Sequence, residues 1–140
     1  MVDIKVRKLI NEAKSAREKA YAPYSKFKVG AALLAKSGKI YAGCNVENAI
    51  YNGTHAERFA LDNAVIRGER EFLAIAIVLD DKSFPCAQCL QNLTEFDSDG
   101  KGNLKIITVN LQGNVRESTL AKLLPERFGP KSLGIDVRKF

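Results

Sequence analysis

The sequence is sparing with the residues that build covalent or membrane-bound frameworks. Cysteine occurs only at 44, 86 and 89. An odd count argues against a disulfide framework and, in a reducing compartment, directs attention to metal binding or catalysis. No uninterrupted apolar run approaches the roughly 20 residues needed to cross a bilayer, so no membrane partner is expected. The first residues, Met1-Val2-Asp3-Ile4-Lys5, lack the apolar centre of a secretory signal, and a cytoplasmic protein is the expectation. Histidine is rarer than cysteine: His55 is the only one.

Charge of one sign is not concentrated either. Lys and Arg number 22 against 16 Asp and Glu, for a net charge of +6, yet the cations alternate with anions or flank apolar residues, as Lys26 and Lys28 flank Phe27. Without a basic stripe, the excess reads as a solubility feature, and no nucleic-acid partner is expected.

What is present suffices for one packed core: 140 residues, 46% of them hydrophobic, predict a single domain over residues 1–140. Ile4, Val6, Leu9, Ile10, Ala13, Ala16 and Ala20 follow helical spacing, and the helix stops before Pro23. Residues 27–34 and 39–44 read as a β-hairpin around Lys36-Ser37-Gly38. Thr54 is placed to cap a helix from His55 to Arg67, with Phe59, Ala60, Leu61, Ala64 and Val65 inward and Gly68 closing it.

Residues 73–79 are apolar on both faces, as in a central strand covered on each side. A further helix is expected just after Pro85, then strands at 105–109 and 115–117. The order helix, hairpin, helix, strand, helix, strand, strand predicts an α/β fold, a three-layer α/β/α sandwich around one mixed five-stranded sheet.

The chemistry concentrates in His55-Ala56-Glu57 and Pro85-Cys86-Ala87-Gln88-Cys89. Each group falls at a predicted helix start, where free N–H groups and the positive end of the dipole favour thiolates. Cys86 and Cys89, three apart, share one helix face. Singly, each group has an ordinary alternative: a redox pair, half of a structural zinc site, a surface histidine. Together they supply three ligands and leave a fourth tetrahedral position for water, the pattern of catalytic zinc. Zinc brings the pKa of bound water from about 16 to roughly 7, and Glu57 is placed to carry the proton. Cys44, at the end of an apolar strand, reads as a packing residue.

H-x-E followed by P-C-x-x-C resembles the signature of the zinc deaminases. The likeness extends through Tyr21-Ala22-Pro23-Tyr24-Ser25-Lys26-Phe27-Lys28-Val29-Gly30-Ala31-Ala32, Gly43-Cys44-Asn45-Val46-Glu47-Asn48-Ala49 and Leu123-Leu124-Pro125-Glu126-Arg127-Phe128-Gly129-Pro130. On these stretches the chain resembles the short cytidine deaminases. The resemblance implies hydrolytic deamination of free cytidine or 2′-deoxycytidine to uridine or 2′-deoxyuridine plus ammonia, as in pyrimidine salvage, with one Zn²⁺ per subunit.

It further implies that Phe27 packs on the pyrimidine, that Asn45 and Glu47 bind the ribose 3′-hydroxyl, and that the main chain of Ala56 and Cys86 holds the base edge. Glu57 would bond N3 and the exocyclic amine. Tyr51 and Phe128 resemble residues that reach a neighbouring subunit's active site in a homotetramer. The chemistry supports this role for Glu47, because a carboxylate accepts a hydroxyl and repels a phosphate, which favours free nucleosides.

Two positions depart from the family's pattern: His55 stands where short members usually have Cys, and Leu90 where they have Arg. Both fit a less negative metal site, since two thiolates and an imidazole balance Zn²⁺ where three thiolates leave a surplus charge. Arg58 is then the remaining expected donor to a thiolate. Leu90→Arg is expected not to raise activity in the parent, and to rescue His55→Cys in part.

The segment Asp97-Ser98-Asp99-Gly100-Lys101-Gly102-Asn103 weakly resembles a calcium loop, but without a twelfth-position Glu it reads as a surface turn. The competing functions are a blasticidin-type deaminase of modified nucleosides, a nucleic-acid cytosine deaminase and a non-catalytic zinc module. The intact Asn45-Val46-Glu47 and the lack of a strand-binding tract argue against the first two.

Overall fold

The computed structural model describes residues 3–140; Met1 and Val2 of the N-terminal pentapeptide lie outside them. Helix α1 (Ile4–Glu18) begins where the Asp3 side chain accepts the Lys5 N–H, a side-chain N-cap. It buries Leu9, Ile10, Ala13 and Ala16, while Ile4 stays exposed. The hairpin comprises β1 (Gly30–Ala35) and β2 (Ile40–Cys44), and Gly38 supplies the left-handed residue of its turn. β1 starts three residues later than the apolar run at Phe27. The reason is local: the Phe27 carbonyl and the Val29 N–H are both bonded to the Asn45 side chain instead of to a neighbouring strand.

Three more strands complete the sheet: β3 (Phe72–Val78), β4 (Lys105–Val109) and β5 (Val115–Thr119). Their order is β2-β1-β3-β4-β5, with β3 central, β3 and β4 parallel and every other pairing antiparallel. The expected mixed five-stranded sheet is therefore present. Alternation along the strands separates two cores. Ala31, Leu33, Ile75, Ile77 and Ile106 face helices α2 (Ala56–Ile66) and α3 (Ala87–Thr94), whereas Ala32, Leu34, Ala74, Ala76 and Ile107 belong to the core that α1 enters with Leu9, Ile10 and Ala13.

Two glycines let the helices lie this close. A Cβ on Gly30 would meet the main chain of Ala13 and Arg17 in α1, and one on Gly43 would come within 2.8 Å of the Ala56 carbonyl and the Phe59 Cβ in α2.

Helix α2 ends as expected at Gly68, whose φ is +92°, but its start differs. Thr54 is bound edge-on to Val46 through two main-chain hydrogen bonds, so His55 takes the cap position, and its side chain makes no capping bond. Of the residues expected inward, Ala60, Leu61 and Ala64 are buried, Val65 is half-buried and Phe59 is exposed. Beyond β5 the chain adds elements that periodicity does not reveal: a single-turn helix α4 (Leu120–Leu123) and 3₁₀ turns at Pro130–Leu133 and Val137–Lys139.

Candidate active site

The starts of α2 and α3 meet beside the end of β3. Cys86 caps α3 as His55 caps α2, again without a side-chain capping bond, so both side chains are free to turn to one point. His55 Nδ1 lies 3.6 Å from Cys86 Sγ and 3.2 Å from Cys89 Sγ, and the three ligand atoms all lie within 4.8 Å of one another. Tetrahedral zinc with bonds of about 2.0–2.3 Å separates N and S ligands by roughly 3.5 Å. The trio has the dimensions of one face of that tetrahedron, and Nδ1 is the nitrogen turned to the sulfurs.

Electrostatics points to the same occupant. Cys89 is 1% exposed, and its thiol is pushed far up, first by burial and then by the Glu57 carboxylate and Cys86. Two sulfurs and a carboxylate crowded together repel one another's charge unless a cation lies among them. One imidazole and two thiols are a donor set suited to zinc. Glu57, 7% exposed, sits one residue inside α2, outside the ligand trio but close enough to Cys89 for its carboxylate to act on that thiol. A buried carboxyl next to the metal set, and not part of it, can hold a proton and release it to a bound molecule.

The trio opens onto a cavity of ≈ 710 Å³ whose lining includes His55, Ala56, Glu57 and Cys86 along with Phe27, Asn45, Glu47 and Tyr51. That volume suits a small-molecule ligand. Asn45 is committed at both ends, its Oδ1 accepting the Val29 N–H at 2.9 Å and its Nδ2 donating to the Phe27 carbonyl at 2.7 Å. It thereby fixes the backbone that carries Phe27. Glu47 Oε1 accepts the Tyr24 and Ser25 N–H groups at 3.0 and 3.1 Å. Hydrogen bonding from the Ser25 hydroxyl, then from its N–H, holds this carboxyl below the ordinary glutamate range. Tyr51 is left-handed at φ 57°, and its ring lies 5.7 Å from that of Tyr24; a non-glycine residue in this region is a strained conformation of the kind that gathers at binding sites.

The family model of the cytidine and deoxycytidylate deaminase zinc-binding region matches residues 4–101. The chain belongs to this family. It is 50% identical over 131 residues to the cytidine deaminase of Sporosarcina psychrophila, covering 91% of this chain and 94% of that protein. With the cytidine deaminase of Halalkalibacterium halodurans it shares 47% identity over 123 residues, 86% of this chain and 91% of that one. The crystal structure of cytidine deaminase from Burkholderia pseudomallei superposes with a TM-score of 0.81 at 49% identity, covering 87% of this chain and 98% of the other. The fold and the zinc-binding character of the family are those of this chain.

One sequence expectation is answered differently by the structure, and two further residues are placed by it. Arg58 does not turn to a thiolate: its Nε donates to both oxygens of Asp62, at 2.9 Å, and its Nη1 to Asn92 Oδ1 at 3.0 Å. A carboxylate one helical turn away captures the guanidinium, which then links α2 to α3. Leu90 is buried among Leu61, Leu93 and Ile106, so an arginine at this position would enter the core. Phe128 is exposed and outside the cavity; its carbonyl accepts Gln91 Nε2 at 2.7 Å. Conversely, Tyr24, Ser83 and Phe84 line the cavity although the sequence reading assigned them no role. Phe84 had one signal, its place directly before the Pro-Cys pair.

Proposed function

We propose that this protein removes the exocyclic amine of free cytidine and 2′-deoxycytidine by zinc-dependent hydrolysis, giving uridine or 2′-deoxyuridine and ammonia. The observation that carries the reading is the His55, Cys86, Cys89 trio with buried Glu57 beside it in a nucleoside-sized cavity. When bound, zinc supplies an activated water near neutral pH. Glu57 would take the two protons of the attacking water as its oxygen bonds C4, passing one to N3 of the ring and the other to the exocyclic amine, whose C4–N bond breaks to release ammonia. Phe27 packs on the pyrimidine, the main chain of Ala56 and Cys86 orients its edge, and Asn45 and Glu47 address the 3′-hydroxyl. The committed amide of Asn45 means that part of its contribution is to hold Phe27 in place.

The same reading makes residues 1–140 one catalytic domain of a cytoplasmic homotetramer, in which Tyr51 and exposed Phe128 serve a neighbouring copy. Its test is turnover of cytidine, 2′-deoxycytidine, cytidine monophosphate and single-stranded DNA, with zinc measured on the same preparation. Turnover of the nucleosides alone is expected, and turnover of the polymer or the nucleotide alone refutes it. Glu57→Gln is expected to keep its zinc while kcat falls by roughly 10²–10⁴-fold.

A further inference from the structure

The segment joining β3 to α3 forms one side of the cavity through Ser83, Phe84 and Pro85 before it delivers Cys86. It is fastened by side chains of β4 and β5. The Lys82 carbonyl accepts two hydrogen bonds, from Thr108 Oγ1 at 3.0 Å and from Arg116 Nη1 at 3.2 Å. Thr108 and Arg116 stand directly opposite each other across the β4–β5 pair, so their side chains share one face of the sheet. That face is the one covered by α2 and α3, because Ile106, two residues before Thr108, belongs to their core. The Arg116 guanidinium also lies over the Phe84 ring, 4.5 Å from its centroid, within cation–π range. One cation thus holds both the main chain of the segment and the aromatic ring that faces the cavity.

We propose that Arg116 is a positioning residue for substrate binding: stacked on Phe84 and bonded to the Lys82 carbonyl, it fixes the Phe84 wall against which the nucleoside rests. The inference rests on the cavity being the nucleoside site. Arg116 bonds the Lys82 carbonyl and stacks on Phe84, neither of them a metal ligand, so its action is on binding and not on the proton-transfer step. Cys86 is placed separately by the start of α3.

The experiment is steady-state kinetics on cytidine for zinc-loaded Arg116→Ala, Arg116→Lys, Phe84→Leu and the Arg116→Ala/Phe84→Leu pair. Arg116→Ala is expected to raise KM about three- to tenfold with kcat within about twofold of the parent and zinc content unchanged. Arg116→Lys, which keeps the cation but not the planar fork, falls between. In the Phe84→Leu background the alanine change is expected to add less than about twofold, the non-additivity of residues that act through one another. The proposal is overturned if Arg116→Ala leaves KM within about twofold of the parent. It is equally overturned if the two changes multiply independently, or if the loss is in kcat and zinc content alone. A parent protein that fails to turn over cytidine would instead count against the proposed function.

Discussion

Glu47 carries its charge where two main-chain N–H groups and the Ser25 hydroxyl already converge. Donors that bond the ionised form hold a carboxyl pKa down, so the group stays charged as pH falls through the ordinary glutamate value and protonates only below it. Carbon-detected NMR titration is expected to place the Glu47 carboxyl below that value, and Ser25→Ala, which removes the largest cause, to raise it. Leu90 supports a second prediction. Its burial among Leu61, Leu93 and Ile106 means that Leu90→Arg drives a cation into an apolar core, at a cost on the order of 2–4 kcal/mol in denaturant unfolding. His55→Cys/Leu90→Arg is therefore expected to be less stable and no more active than His55→Cys, reversing the rescue that charge balance alone suggests.

Among the elements, the oxygen-rich turn after α3 shows how a metal-like sequence can serve another cation. Asp97 and Arg127 are 9% and 8% exposed at the side chain and meet at 2.9 Å. The same nitrogen, Arg127 Nη2, donates to the Gly100 carbonyl, and the Asp97 carboxylate also takes the Gly102 N–H. Gly100 and Gly102 adopt positive φ to make this wrap, and a Cβ on Gly102 would strike the guanidinium at 2.6 Å. The turn is thus closed around an arginine that directly precedes Phe128. Removing one partner of a buried pair leaves the other charge uncompensated. Asp97→Asn is expected to destabilise the zinc-loaded protein by roughly 3–5 kcal/mol, read by denaturant unfolding, with a smaller loss when Arg127→Met is added.

Across the whole molecule, the trio draws on the starts of two helices that Arg58 also bridges by its bond to Asn92. Zinc held by His55 at the start of α2 and by Cys86 and Cys89 at the start of α3 would bind the folded chain and stabilise it by mass action, about 4 kcal/mol at a thousandfold excess over Kd. Chelation is expected to lower the melting temperature and abolish turnover together, with both restored by added Zn²⁺. A melting temperature indifferent to chelation would show that the trio does not link the helices. No helix among the described residues is long and apolar enough to cross a membrane, and Ile50, Tyr51 and Phe128 present apolar side chains to solvent.

The sequence by itself determined the order of helices and strands along the chain, the burial of most of β3 on both faces and the grouping of His55, Cys86 and Cys89 with Glu57. Each of these is encoded within a few residues: strand alternation, a turn glycine, the three-residue step from Cys86 to Cys89, the two-residue step from His55 to Glu57. Only the tertiary structure decided the partners of long side chains. Arg58 reached Asp62 and Asn92 and not a sulfur, Leu90 faced the core, and Asn45 spent its amide on the Phe27 backbone. Arg116 came to lie over Phe84 because the strand order brings the edge of the sheet back against a segment some thirty residues earlier. Such pairings depend on which strands are neighbours, and no local pattern in the chain records that.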